Sequence, residues 1–143
     1  QITGFDLGVT AGTLRADTLN FEGTAAVSAF SAHVDSGVIK GHTFATAGII
    51  TFDDADTFAN ALTINASNLA DVVGYLNTNL AANGTVAFTY DSDANGTADG
   101  TMVYHQGSGA SVADDMVLLV GVTGTSVVVQ GGTTEANGVI GIL

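Results

Sequence analysis

The chain has 143 residues, 46% hydrophobic and only 11% charged, and its fourteen acids face just Lys40 and Arg15, for a formal net charge of −12. So little positive charge excludes a surface that neutralises the phosphates of nucleic acid or docks on anionic lipid, and it favours a solvated acidic surface, divalent cations, or both. There is no cysteine, which excludes disulfides, thiolate metal sites and thiol catalysis.

The length suits a single domain over residues 1–143 with a core of its own. No apolar run approaches the ~20 residues of a membrane span, so a soluble chain without direct membrane insertion is expected. The first residue is Gln1 rather than Met, as expected of a processed product or a piece of a longer chain.

In chain order, short β-type runs recur between turn signals: "QITGF", "DTLNF", "SGVIKG", "AGIITF", "TVAFTY", "TMVYHQ", "DMVLLVGV" and "TSVVVQ". Each has the length of an ordinary strand, is rich in Val, Ile, Thr, Phe or Tyr, and is bounded by Gly, Asn or Asp. Thr85 to Tyr90 alternates, with Val86, Phe88 and Tyr90 on one face. Met116 to Val122 is more continuously apolar and reads as a strand buried on both faces. Two segments break the rhythm. Asp53 to Leu62 reads as a short helical turn with Phe58 and Leu62 inward. Ser67 to Leu80 carries Leu69, Val72, Val73, Leu76 and Leu80 at helical offsets, with Ser67 as N-cap and Asn83-Gly84 as stop. The expected fold is mainly β: an antiparallel β-sandwich or β-roll-like sheet with one amphipathic α-helix, about 67–81, packed on it.

The most informative stretch is "YDSDANGTADG", Tyr90 to Gly100. Asp91, Asp93 and Asn95 fall at the first, third and fifth positions of a calcium-loop template, and Gly96 falls at the sixth, where the backbone must turn sharply. Thr97 offers a carbonyl from the seventh position and Asp99 stands at the ninth. Met102 replaces the Glu of a complete EF-hand, and a strand rather than a helix precedes the loop. Calcium takes six to eight oxygens at about 2.3–2.6 Å, so the loop is one or two ligands short. Asp114 or Asp115, in the following "VADD", are the candidates for the remainder. The bland reading is an Asp/Asn/Gly hairpin whose side chains cap backbone groups. Asp53, Asp54 and Asp56 form a weaker second cluster, equally well read as a solvated helix start. Arg15 lies near enough in sequence to pair with Asp6 or Asp17.

At both ends the residues resemble a known family. "ITGFD" followed by "ADTLNF" is similar to a phrase of RTX-type calcium-binding proteins that bacteria secrete by the type I route. "AFTYDSDANGTADGTMVYHQG…ADDMVLLVGV" resembles their C-terminal module, an Asp-rich hairpin followed by a "D-x-x-V-x-L-x-G" strand. No "GGxGxDxLx" nonapeptide occurs, so the resemblance is to the flanking module and not to the repeat. It implies bound Ca2+, an extracellular location at the cell surface or in a matrix, and a role in an adhesin, surface layer or filament.

No catalytic constellation can be assembled. His33, His42 and His105 lack metal-ligand spacing, and "HQGSGAS" around Ser108 is not a "GxSxG" elbow. The expectation is therefore a non-enzymatic structural protein, a building block that associates with copies of itself or with other surface proteins. The apolar ends "QITGF" and "GVIGIL" either offer edges to a neighbour or pair within their own sheet. The alternatives are a C-terminal cap and export module of a larger secreted enzyme or toxin, and a calcium-dependent glycan-binding module, for which aromatic support is thin.

Overall fold

The computed structural model of the chain describes residues 1–5, 17–21, 26–27, 30, 32–46, 48–107, 114–125, 127–129 and 139–142. Asp6, Arg15 and Ser108 lie outside them. The protein is mainly β, with one helix among the described residues. In chain order the strands are β1 (Ile2–Thr3), β2 (Thr18–Asn20), β3 (Ala26–Val27), β4 (Gly41–Thr46), β5 (Ile49–Asp53), β6 (Gly84–Tyr90), β7 (Gly100–His105), β8 (Asp115–Val120), β9 (Val127–Val129) and β10 (Val139–Ile142). The helix α1 (Leu69–Asn79) lies between β5 and β6.

The large sheet runs in the order β1-β8-β7-β6-β5-β4, with β3 also pairing β6. It is mixed rather than purely antiparallel. β4–β5, β6–β7 and β7–β8 are antiparallel, but β5 and β3 both run parallel to β6, and β1 runs parallel to β8. The parallel β5–β6 pair follows from α1, because two parallel strands need a crossover between them and the helix supplies it. A second sheet, β2-β10-β9, is antiparallel throughout.

The period-two pattern sorts the core into two layers. Val86, Phe88 and Tyr90 of β6, Met102 and Tyr104 of β7, and Ile50 and Phe52 of β5 pack with Val72, Tyr75, Leu76 and Leu80 of the helix region. The intervening residues Ile49, Ala87, Val103 and Leu119 face the other way and pack with Leu19, Phe21 and Ile142 around the second sheet. β6 is thus covered on both faces, and each large side chain so buried contributes roughly 1.5–3 kcal/mol.

Several sequence expectations change. β8 meets both core layers, Leu118 on one side and Val117 and Leu119 on the other, but its first apolar residue, Met116, is 43% exposed. "SGVIKG" is a tight turn, not a strand. Ser36 and Ile39 exchange both backbone hydrogen bonds at 2.9 Å, and Gly37 takes φ +54° between them. Residues 54–62 are irregular rather than helical. Here the Asp53 side chain captures the amides of Ala59 and Asn60, an alternative to helical bonding that short acidic residues offer. Ser67 is not the N-cap. It donates from both its amide and its hydroxyl to Asn65 Oδ1, and the helix starts after Asn68. It ends ahead of Asn83-Gly84, at Leu80, which turns to extended backbone. The C-terminal run is an interior strand, since β10 lies between β2 and β9, whereas β1 ends the strand order of the large sheet among the described residues.

Candidate functional site

The acidic loop, residues 91–99, joins β6 to β7. Its foot is fixed to the chain that enters the helix. The Asp91 amide donates to the Ile64 carbonyl at 2.9 Å, and Asn65 and Asp91 form a parallel bridge. Two residues take left-handed backbone, Ala94 at φ +57° and Gly96 at φ +94°. No atom would obstruct a side chain at Gly96, so the glycine there answers to φ and not to space.

The side chains of the first, third and fifth positions all turn into the bend. Asp91, which is fully buried, accepts the Asn95 amide on Oδ1 at 3.2 Å and the Gly96 amide on Oδ2 at 2.7 Å. Asp93 Oδ1 accepts the same Asn95 amide at 3.2 Å, and its Oδ2 accepts the Asn95 side-chain amide at 2.9 Å. Asn95 Oδ1 accepts the Thr97 amide at 2.8 Å. One backbone N–H is therefore shared by two carboxylates, which draws Asp91 and Asp93 to the same side of the turn. A carboxylate has about four acceptor positions, and these amide bonds leave part of that capacity open.

Asp99 does something else. It accepts the Ser92 amide at 3.0 Å and the Ser92 hydroxyl at 2.6 Å, clasping the two ends of the loop. The Ser92 hydroxyl, then the Ser92 amide, hold its carboxyl below the usual range. Asp114 and Asp115 are not brought to the loop. Gly100, at the loop end of β7, pairs with Val120, while His105, at the far end, pairs with Asp115. Five residues of strand, about 17 Å, separate them. There Asp114 accepts the Gly107 amide at 2.9 Å and, with burial as the larger cause, helps to push the Tyr104 phenol up. These two acids are corrected out of the ligand set by register, which runs the hairpin away from the loop.

The second acidic cluster is split. Asp53 is buried and spends Oδ2 on the amides of Ala59 and Asn60, which keep its carboxyl below the usual range, with the Ala59 amide the larger cause. Its Oδ1 is the buried side-chain atom without a hydrogen-bond partner among the described residues. Asp54 and Asp56 are exposed.

The structure also assembles what sequence reading leaves scattered. His33 and His42 have ring centroids 6.1 Å apart. His42 stacks on Phe30 at 4.0 Å, and its Nδ1 lies 2.7 Å from the Tyr75 hydroxyl. The only sequence signal for this corner is "HVD", His33 to Asp35, whose period-two spacing on extended chain points both side chains the same way. His105 is elsewhere, buried with its ring stacked on Phe21 and its Nδ1 2.9 Å from Thr85 Oγ1.

Among the described residues no helix is long and apolar enough to cross a membrane. The class of protein defined by the fold is a mixed β-sheet domain with one helix on one face and a small second sheet on the other. No family model matches the chain, nor does any curated protein or solved structure.

Proposed function

We propose that the protein is a non-enzymatic, calcium-binding structural domain of an extracellular assembly, with the ion held by the loop after Tyr90. The observation that carries this reading is the single Asn95 amide shared by the Asp91 and Asp93 carboxylates. Two negative groups held on one side of a turn repel each other unless a cation lies between them. Among the described residues the sole lysine or arginine is Lys40, and it pairs with Asp35. Hydrogen bonds from amides to ligating carboxylates are the ordinary outer shell of a metal site, since they fix the oxygens that face the ion. Asp91, Asp93, Asn95 and the Thr97 carbonyl supply the protein oxygens, water completes the shell, and Asp99 closes the loop through Ser92.

Function outside the cell, at a surface or in a matrix, is supported by the resemblance to secreted calcium-binding proteins, the acidic excess and the lack of cysteine. Self-association is supported by β4, which ends the strand order of the large sheet among the described residues and leaves Phe44 40% exposed. Calcium lowers the mutual repulsion of chains carrying a formal charge of −12 and so couples assembly to the ion. Size-exclusion chromatography with light scattering, in calcium and in chelator, tests this. Large species in calcium that dissolve in chelator are expected. A monomer in both conditions would overturn the assembly reading and favour an export cap of a larger chain.

A further inference from the structure

We infer that His33, Asp35 and Asp56 form a surface site for a borderline first-row divalent cation of the zinc type, separate from the acidic hairpin. One ring nitrogen of His33 and one carboxylate oxygen from each of Asp35 and Asp56 all lie within 4.8 Å of one another. Ligands at about 2.0–2.2 Å from a shared zinc lie no more than about 4.4 Å apart. All three side chains are exposed, so small rotations close the difference.

One ring nitrogen of His33 is already engaged by the backbone. Its Nε2 lies 2.5 Å from the Lys40 carbonyl oxygen. A carbonyl only accepts, so Nε2 is the donor in this bond, and the neutral tautomer that makes it has its lone pair on Nδ1. An imidazole that donates its other N–H to a backbone carbonyl is the usual outer-shell arrangement of a metal-bound histidine.

Both backbones that present the ligands are anchored. Asn79 accepts the Val34 amide at 2.7 Å and donates to the Val34 carbonyl at 2.8 Å, which fixes the residue between His33 and Asp35. The loop carrying Asp56 is held by the buried Asp53 through the amides of Ala59 and Asn60. Lys40 Nζ takes one oxygen of Asp35 at 3.2 Å, an exposed pair worth little, and the other oxygen is left for a metal. Two carboxylates, Asp35 and Asp56, stand against one ammonium, Lys40, at this corner. One nitrogen with two carboxylates suits zinc and its neighbours rather than calcium, which takes oxygen alone. His42, stacked on Phe30 and bonded to Tyr75, belongs to the supporting wall. Three protein ligands leave at least one position for water or a further ligand.

Calorimetric titration of the full chain with ZnCl2 tests the site, using wild type, His33→Ala, Asp56→Asn and, as a control on the hairpin, Asp91→Asn. Saturable binding in wild type and Asp91→Asn, weakened at least about tenfold in His33→Ala and Asp56→Asn, is the expected pattern. Paramagnetic Co2+ should broaden the amide signals of Asp35 and Asp56 ahead of that of Asn95. No saturable heat in wild type, undiminished binding in His33→Ala and Asp56→Asn, or broadening centred on Asn95 overturns the inference. The calcium reading stands or falls separately, on the variants of the other loop.

Discussion

The side chain of Asn79 serves Val34 as a strand partner would, accepting its amide at 2.7 Å and donating to its carbonyl at 2.8 Å. The same Nδ2 also donates to the Tyr75 carbonyl at 2.8 Å, so the last turn of the helix is joined to the segment 32–35. Asn79 is buried, whereas the chain it holds is exposed. Replacing it by Ala strands both backbone groups of Val34 and should destabilise the fold by roughly 1–3 kcal/mol. Urea unfolding of Asn79→Ala is the check, and a loss under about 0.5 kcal/mol would contradict this anchoring role.

Gly37 occupies the turn between Ser36 and Ile39 at φ +54°. A Cβ there would stand 2.1 Å from the Asp71 carboxyl carbon, and Asp71 Oδ2 accepts the Val38 amide at 3.0 Å. Gly37→Ala therefore brings left-handed strain, about 1–2 kcal/mol, and pushes Asp71 off the turn. A summed loss of about 2–3 kcal/mol is expected in chemical denaturation, because a lost hydrogen bond adds about 1 kcal/mol. Asp71→Ala alone should show only the smaller part.

Stability should fall on mild acidification. Burial pushes His105 below its ordinary value of 6.5, against the opposing pull of Asp115 and Asp114. His42 is lowered as well, by burial first and His33 second. With folded values below unfolded ones, the unfolded chain takes up protons that the folded chain refuses. The stabilisation is complete above about pH 6.5 and is lost as pH falls through the folded values. The lowered carboxyl of Asp99 adds a loss of the same sign, but only as pH drops through its ordinary value of 3.8 and below. The urea midpoint should thus decline between about pH 7.5 and pH 5, and less steeply in His105→Gln. An unchanged midpoint in wild type would contradict the burial of neutral imidazoles.

Much of the fold is legible because it rests on local periodicity. Val86, Phe88 and Tyr90 read as one face from sequence and do share one core layer. Val72 and Leu76 read as a helical stripe and are buried as one. What stays hidden depends on long-range register. Nothing local reveals that β5 runs parallel to β6, or that Asp115 pairs beside His105 and so lies at the far end of its hairpin. The proximity of His33 to His42 arises from the segment 32–35 and a strand meeting over Tyr75. The 53–62 segment misleads for a different reason. Its composition suits a helix, but one buried carboxylate, Asp53, outcompetes the helical carbonyls for two amides. The loop template is legible residue by residue, since Asp91, Asp93 and Asn95 do converge on one bend, while the clasp between Asp99 and Ser92 is not.

Calcium titration by calorimetry, run on wild type, Asp93→Ala and Asp115→Ala, tests whether the loop after Tyr90 holds the ion. Saturable heat near one ion per chain, on the order of a single six-to-eight-oxygen cage, is expected in wild type, lost in Asp93→Ala and retained in Asp115→Ala. Absence of heat in wild type with a melting temperature indifferent to chelator, or full binding by Asp93→Ala, would contradict binding there.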